Sequence, residues 1–290
     1  MKFSKKIILG SMIAASSLFA DVATILPYVA SIDYTDNAAE SAKKDGTIGG
    51  IYYSYGNLSY LFELDYSHTN INYKDSTKSD LKQDDFTVTY SGYYPTWMYK
   101  VGVHHVDTTD DDLGDGDVLI TALGGYQTYG YDRFTYGLEG YYSNYSAAYD
   151  ENGVQKSIDI YQFTPYIGYS KAIDINSRNN INFKVNYVTC SDYKTKDYTS
   201  FEVEDTFFYK KVYTTLKAYG GKMKSGVKDG GHTVYNTKDL MKDGYSIKIG
   251  YYIDKNMAVS ASFAKNNFEE YGKTGTASNN IAVATFSYTY

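Results

Sequence analysis

Gly244 to Asn266 reads GYSIKIGYYI, then DKN, then MAVSASFAKN, and this stretch decides the fold. In its first ten residues Tyr245, Ile247, Ile249 and Tyr251 alternate with Ser246 and Lys248. A period of two puts the two sets on opposite faces of a strand. Asp254-Lys255-Asn256 is a turn sequence, and a second segment of the same length, Met257 to Asn266, follows it at once. About ten residues is what a tilted strand needs to cross a hydrocarbon core. Two such strands joined tightly make a hairpin with one apolar and one polar face, the unit of a sheet that has lipid on one side and water on the other.

The unit recurs along the chain. Further segments run from Val22 to Tyr34, Gly46 to Tyr55, Leu58 to His68, Asp85 to Tyr94, Trp97 to Val106, Val118 to Gln127 and Arg133 to Tyr145. Ser157 to Lys171, Asn180 to Cys190, Thr199 to Phe208, Val212 to Met223 and Asn280 to Tyr290 complete a set of fourteen. Tight connections such as Gly56-Asn57, Pro95-Thr96 and Tyr209 to Lys211 alternate with long polar ones such as Lys74 to Gln83, Asp107 to Asp117 and Lys224 to Asp243. Outer-membrane barrels have this asymmetry, with short periplasmic turns and longer extracellular loops, and a soluble β-sandwich has no reason to show it. The expected fold is all-β: a transmembrane antiparallel up-and-down barrel of about 14 strands. Val118 to Gln127 and Ser157 to Lys171 do not alternate cleanly, and Asp205 falls on the apolar side of its segment, so a twelve-strand barrel is the alternative.

Composition agrees. The 290 residues include 36 Tyr and 25 Gly but only 3 Pro, with a mean hydropathy of -0.45. Tyrosine suits strands, and a wet lumen dilutes the average hydropathy of a membrane barrel. Residues 1–20 read as a cleaved signal peptide: Lys2, Lys5 and Lys6 precede the apolar run Ile7 to Phe19, and Ala20 stands before Asp21. Its removal takes the net charge from -6 to about -9, which excludes a basic nucleic-acid footprint. Residues 21–290 then form one barrel domain. Cys190 is the single cysteine, so no internal disulfide framework exists.

On the polar faces lie the candidate lumen charges: Glu63, Asp65, Asp85, Glu139, Glu202 and Glu204 among acids, Lys100, Arg133, Lys184, Lys217 and Lys248 among bases. Acids exceed bases, which predicts a weak cation preference. Trp97, Tyr99, Tyr53, Tyr55, Tyr94, Tyr251, Tyr288 and Tyr290 lie near segment ends, as in aromatic girdles at the two interfaces.

The last ten residues, Ile281 to Tyr290, put Ala282, Ala284, Phe286, Tyr288 and Tyr290 on one face. They resemble the C-terminal signal that hands outer-membrane proteins to their assembly machinery, with Tyr at the end in place of the usual Phe. In length and strand number the whole chain resembles the monomeric fourteen-stranded porins typified by outer membrane porin G. The resemblance implies residence in a bacterial outer membrane among lipid and lipopolysaccharide, a monomer, and passive diffusion of small hydrophilic solutes without a cofactor. No pore motif aligns, so it carries over no site residue.

Three other features bear on function. Lys224 to Asp243, with Lys228, His232, Lys238, Lys242, Asp229 and Asp239, reads more readily as a mobile external loop than as a gate folded inward; a separate plug would need a long extra domain, which the sequence lacks. The acidic run Asp107 to Asp117 does not match an EF-hand and reads as a solvated loop. His105 and Asp107 share a face and are the best pair for a hydrolase reading, while Tyr145 to Tyr149, read as a tyrosine-rich loop, fits a structural or surface-binding (adhesin-like) barrel.

Overall fold

The computed structural model describes residues 21–34, 41–109, 116–129, 134–149, 155–191, 196–235, 239–273 and 275–290; for 116–129, 146–149 and 155–156 only the backbone is described. Residues 1–20, which read as a signal peptide, Arg133 and most of the acidic run therefore lie outside the described residues. Strands β1 (Val22–Asp33), β2 (Lys43–Gly56), β3 (Tyr60–Tyr73), β4 (Leu81–Tyr93), β5 (Trp97–Thr109), β6 (Gly116–Tyr129) and β7 (Phe134–Tyr149) make the first half. The second half contains β8 (Gln155–Ala172), β9 (Ser177–Cys190), β10 (Asp197–Tyr209), β11 (Val212–Met223), β14 (Leu240–Tyr252), β15 (Met257–Glu269) and β16 (Ala277–Thr289). Between β11 and β14 sit two short strands, β12 (Val227–Lys228) and β13 (Thr233–Val234), which pair only with each other.

The fourteen long strands form one closed antiparallel barrel in sequence order. β1 pairs with β2 on one side and with β16 on the other, from Thr24 opposite Thr289 to Asp33 opposite Asn280. Ala23 and Tyr290 exchange backbone hydrogen bonds of 2.9 and 3.0 Å at the foot of that seam. Closure leaves no sheet edge exposed to lipid, as a membrane requires. The twelve-strand alternative is excluded.

The strands are 12 to 18 residues long, longer than the hydrocarbon alone demands. The excess lies at the loop end, where the outward row turns polar. Tyr66 Oη donates to Asp84 (2.7 Å) beside His68, and Tyr142 Oη donates to Asp159 (2.8 Å). Below them the outward row is apolar and exposed: Val29, Ile51, Val101, Val103, Leu216, Ile247 and Ile249. A water-soluble protein does not expose such a continuous band, and it fits the lipid-facing belt of a barrel. Every girdle residue singled out in the sequence lies at the turn end. Trp97 stacks on Tyr94 there with centroids 4.2 Å apart, and Tyr288 stacks on Tyr290. The girdle at the loop end is made by other residues, among them Tyr66, Tyr142 and Tyr161.

Of the two segments that read as irregular, Val118 to Gln127 lies where only the backbone is described, and Ser157 to Lys171 is regular in space. In β8 the inward set is Ile158, Ile160, Gln162 and Thr164, and the outward set is Tyr161, Phe163 and Pro165. The pattern was obscured because its inward residues are partly apolar. Asp205 does face outward, but low on β10, where Asn179 Nδ2 donates to it at 2.5 Å. Tyr145 belongs to β7 and joins the interior packing, so Tyr145 to Tyr149 is strand rather than loop.

Tyrosine and glycine are abundant for one shared reason. Gly137 is directly opposite Tyr166, Gly250 opposite Tyr213, and Gly50 opposite Tyr28. Each ring lies flat over its glycine; a Cβ on Gly137 would sit 1.9 Å from Tyr166 Cζ. Gly137→Val is expected to lower stability by about 1–3 kcal/mol through overpacking. Gly140→Val, where a Cβ meets nothing within 4 Å, is expected to stay within about 0.5 kcal/mol of wild type. Urea midpoints of the refolded barrel check both.

Candidate functional site

The segment after β11 does not stay outside. Lys224, Ser225, Val227 and Lys228 are 7%, 2%, 2% and 7% exposed, so it is packed within the barrel. The sequence around it is a hairpin: Val227-Lys228 and Thr233-Val234 pair across Asp229-Gly230-Gly231. The turn needs left-handed backbone at Asp229 (φ 53°), Gly230 (65°) and Gly231 (101°), and two glycines supply most of it at little steric cost. The reading of Lys224 to Asp243 as a mobile external loop is thus corrected, as is the inference that an internal obstruction needs an extra domain. Its polar composition could not distinguish outside water from a lumen that is itself lined with charges.

Hydrogen bonds fix the hairpin to the wall. Gln162 on β8 donates to Val227 O and accepts from Val227 N, both at 2.7 Å. Its tip reaches the far wall, where His104 Nδ1 lies 2.8 Å from Gly231 O. His232 stands 3.4 Å from Asp65 and 3.8 Å from Glu63, with its ring edge-on to Tyr52. Val227 and Val234 pack on Val106 and Tyr141. Lys43 on β2 is ion-paired with Asp239 at the hairpin's return.

The lumen charges gather around this hairpin. Lys100 pairs with Glu63 at 2.9 Å, and Lys184 with Glu139 at 3.1 Å. Lys217 bridges Asp229 (2.7 Å), Glu204 (3.2 Å) and Glu202 (3.8 Å), while Lys228 meets Glu202 at 3.2 Å. The Lys217 ammonium holds the Asp229 carboxyl well below the usual carboxylate range. Asp65 accepts from Tyr28 Oη at 3.1 Å, and Asp85 lies 3.1 Å from His104 Nε2. Of the charges expected in the lumen, Glu63, Asp65, Asp85, Lys100, Glu139, Lys184, Glu202, Glu204 and Lys217 all face inward at or near the hairpin. Lys248 faces inward but stands apart from the network. His104, Gln162 and Tyr52 were not foreseen. They are ordinary strand residues, and only the arrival of the hairpin gives them a role.

Toward the loop end the interior is mostly apolar, with the buried Lys43–Asp239 pair set over Phe268. Ile71, Leu81, Ile158, Ile160, Val188 and Phe268, together with Cys190 and Met223, form a packed layer inside the barrel. The interior thus has a mainly apolar layer toward the loops and an ion-pair layer around the hairpin.

Solved structures with this architecture are numerous. The Ralstonia pickettii toluene transporter TbuX aligns at a TM-score of 0.53 and 10% identity, covering 92% of this chain and 89% of its own. The Acinetobacter baumannii outer membrane protein Omp33 aligns at 0.50 and 11%, covering 93% and 99%. A bacterial polysaccharide outer membrane secretin aligns at 0.53 and 8%, covering 92% and 98%. The fold is that of a bacterial outer-membrane β-barrel. The apolar outward band belongs in the hydrocarbon of that membrane. No family model matches the sequence, and no curated protein matches it either.

The pair suggested for hydrolysis does share one face, near the loop-end rim of β5. His105 and Asp107 point outward on β5, opposite Phe86 and Asp84, and no hydrogen bond joins them to each other. Phe286, Tyr288 and Tyr290 form the outward row of β16 at its turn end.

Proposed function

We propose that the protein is an outer-membrane channel for small hydrophilic solutes and ions, narrowed by the hairpin Val227 to Val234, which lies across its lumen. The observation that carries this reading is the cluster of charges around the hairpin. A barrel that serves only as a scaffold can fill its interior with apolar side chains, as the loop-end layer does. The hairpin level instead carries carboxylates and lysines on both the wall and the hairpin, a polar lining that favours hydrated polar solutes over apolar ones. Selectivity is set there, and the excess of acids predicts a weak cation preference. Transport is passive and involves no bond chemistry. Delivery to the membrane runs through the β-barrel assembly machinery, which reads Phe286, Tyr288 and Tyr290 on the last strand. The barrel works as a monomer among lipid and lipopolysaccharide.

The test is single-channel conductance of the refolded mature protein in a planar bilayer under a salt gradient. Stable small steps with a reversal potential displaced slightly toward cations support the reading, and clear anion preference contradicts the selectivity. A second reading, a closed surface-binding barrel, draws on the packed apolar layer at the loop end. Silence from a correctly folded barrel would favour it.

A further inference from the structure

Inward side chains are not equally covered around the circumference. On the wall against which the hairpin leans they are shut away: Thr89, Ser143, Thr164 and Asn186 are 0%, 1%, 1% and 3% exposed. On the wall made by β14, β15 and β16, the mid-height inward residues Ser246, Lys248, Ser262, Val283 and Thr285 are partly exposed, whereas Ser260 and Ser287 toward the turns and Asn266 and Phe268 toward the loops are buried. One flank of that stretch reaches the hairpin's tip through Asp65 and the other touches it directly. On one flank Tyr28 of β1, cross-strand from Thr285, donates to Asp65, which faces His232. On the other, Lys217 of β11, cross-strand from Ser246, holds Asp229. The uncovered stretch is therefore level with the tip rather than above or below it. Serine, threonine and valine are short, so they leave the space between tip and wall unfilled.

The geometry points to an off-axis permeation path, between the hairpin tip and the β14–β16 wall, with Lys248 as the residue that sets its specificity. Among the described inward residues of β14 from Gly244 to Tyr252, and of β15 and β16 from Ala258 to Asn266 and Asn279 to Thr289, Lys248 alone is charged. Among the described residues it forms no salt bridge; its ammonium lies 5.8 Å from the Tyr213 ring centroid. Lys100, Lys184, Lys217 and Lys228 are each engaged by carboxylates and are neutralised locally. On this wall Lys248 is thus the uncompensated cation among the described residues that a solute meets. It draws anionic groups, a small carboxylate above all, and offsets the acid excess of the rest of the lumen. Without it the passage would discriminate more strongly for cations.

Two measurements test this, the second of which rests on the channel reading. First, Ser246→Cys and Ser262→Cys in the folded barrel are expected to react with a water-soluble, membrane-impermeant methanethiosulfonate, while Ser143→Cys and Thr164→Cys stay protected. Native Cys190 is 0% exposed and gives a silent background. Labelling requires only water at the wall, so it reports on the path even if no current flows. Protection of Ser246→Cys and Ser262→Cys, or equal labelling on both walls, overturns the off-axis path. Second, Lys248→Gln is expected to raise the cation-to-anion permeability ratio by up to about 25-fold, since one unit charge about 4 Å from an ion in water shifts the cation and the anion about fivefold each in opposite directions. Lys248→Arg should keep the wild-type ratio. An unchanged ratio in Lys248→Gln overturns the specificity role while leaving the labelling result standing.

Discussion

Deletion of the hairpin, with Ser225 joined to Tyr235 by a short glycine linker, will raise single-channel conductance several-fold. The barrel itself does not depend on the segment. β11 and β14 pair along their length from Val212–Tyr251 to Gly220–Asp243, and β12 and β13 pair only with each other. An eight-stranded barrel is filled by its own side chains and sixteen to eighteen strands leave an aqueous channel, so fourteen strands enclose more room than inward side chains alone fill. Much of that room is taken by Val227, Lys228, Gly231 and Val234, all of them buried. Without them the ion-pair layer becomes the lining of a wider pore, and selectivity should weaken as the walls move away from the passing ion. Planar-bilayer recording of wild type and deletion side by side checks this. Equal conductance would mean that current bypasses the hairpin entirely.

The second large effect concerns how the hairpin is held. Lys228 and Glu202 are paired with side chains 6% and 5% exposed, and Lys228 also lies over the Tyr219 ring at 3.5 Å. Removing one member of a buried pair leaves the other charge uncompensated, at a cost of about 3–5 kcal/mol. The two hydrogen bonds between Gln162 and Val227 contribute only about 1 kcal/mol each. Glu202→Gln is therefore expected to release the hairpin while the barrel stays folded. Lys228 then becomes a trypsin site in the intact barrel, and conductance moves toward that of the deletion. The double variant Glu202→Leu with Lys228→Met replaces the pair by apolar groups, which is often neutral or stabilising. It should keep the hairpin docked and the conductance near wild type. Slow trypsin cleavage of Glu202→Gln, matching wild type, would show that other contacts hold the segment.

The barrel was legible in the sequence because lipid imposes a strict rule on one face. Tyr245, Ile247, Ile249 and Tyr251 must alternate with Ser246 and Lys248 if one face is greasy and the other wet, and the fourteen segments follow from that rule. Where the inner face is also apolar the rule fades, which is why Ile158 and Ile160 obscured β8 although its alternation is regular in space. The lumen charges could be picked out for the same reason: Glu63, Glu139 and Lys184 sit on faces opposite Phe62, Leu138 and Phe183. The hairpin could not be placed in that way. Val227-Lys228, Asp229-Gly230-Gly231 and Thr233-Val234 do carry a hairpin signature, two short strand-forming pairs around a glycine-rich turn, but local sequence says nothing about which side of the barrel mouth it enters. Its destination is set by partners far away in the chain, Gln162, His104, Glu63 and Asp65, whose side chains are compatible with water as well.

The most direct measurement is cross-linking of the hairpin tip to the opposite wall. Asp65→Cys and His232→Cys, combined in one chain and treated in native outer-membrane vesicles with a short bifunctional methanethiosulfonate, should link β3 to the tip. The product would be a reduction-sensitive shift in the mobility of the unfolded chain, absent from either single variant. Efficient linkage in the folded, membrane-embedded barrel is the result predicted here. Failure to link, with both thiols separately reactive toward a monofunctional reagent, would place the segment outside the lumen and contradict the account.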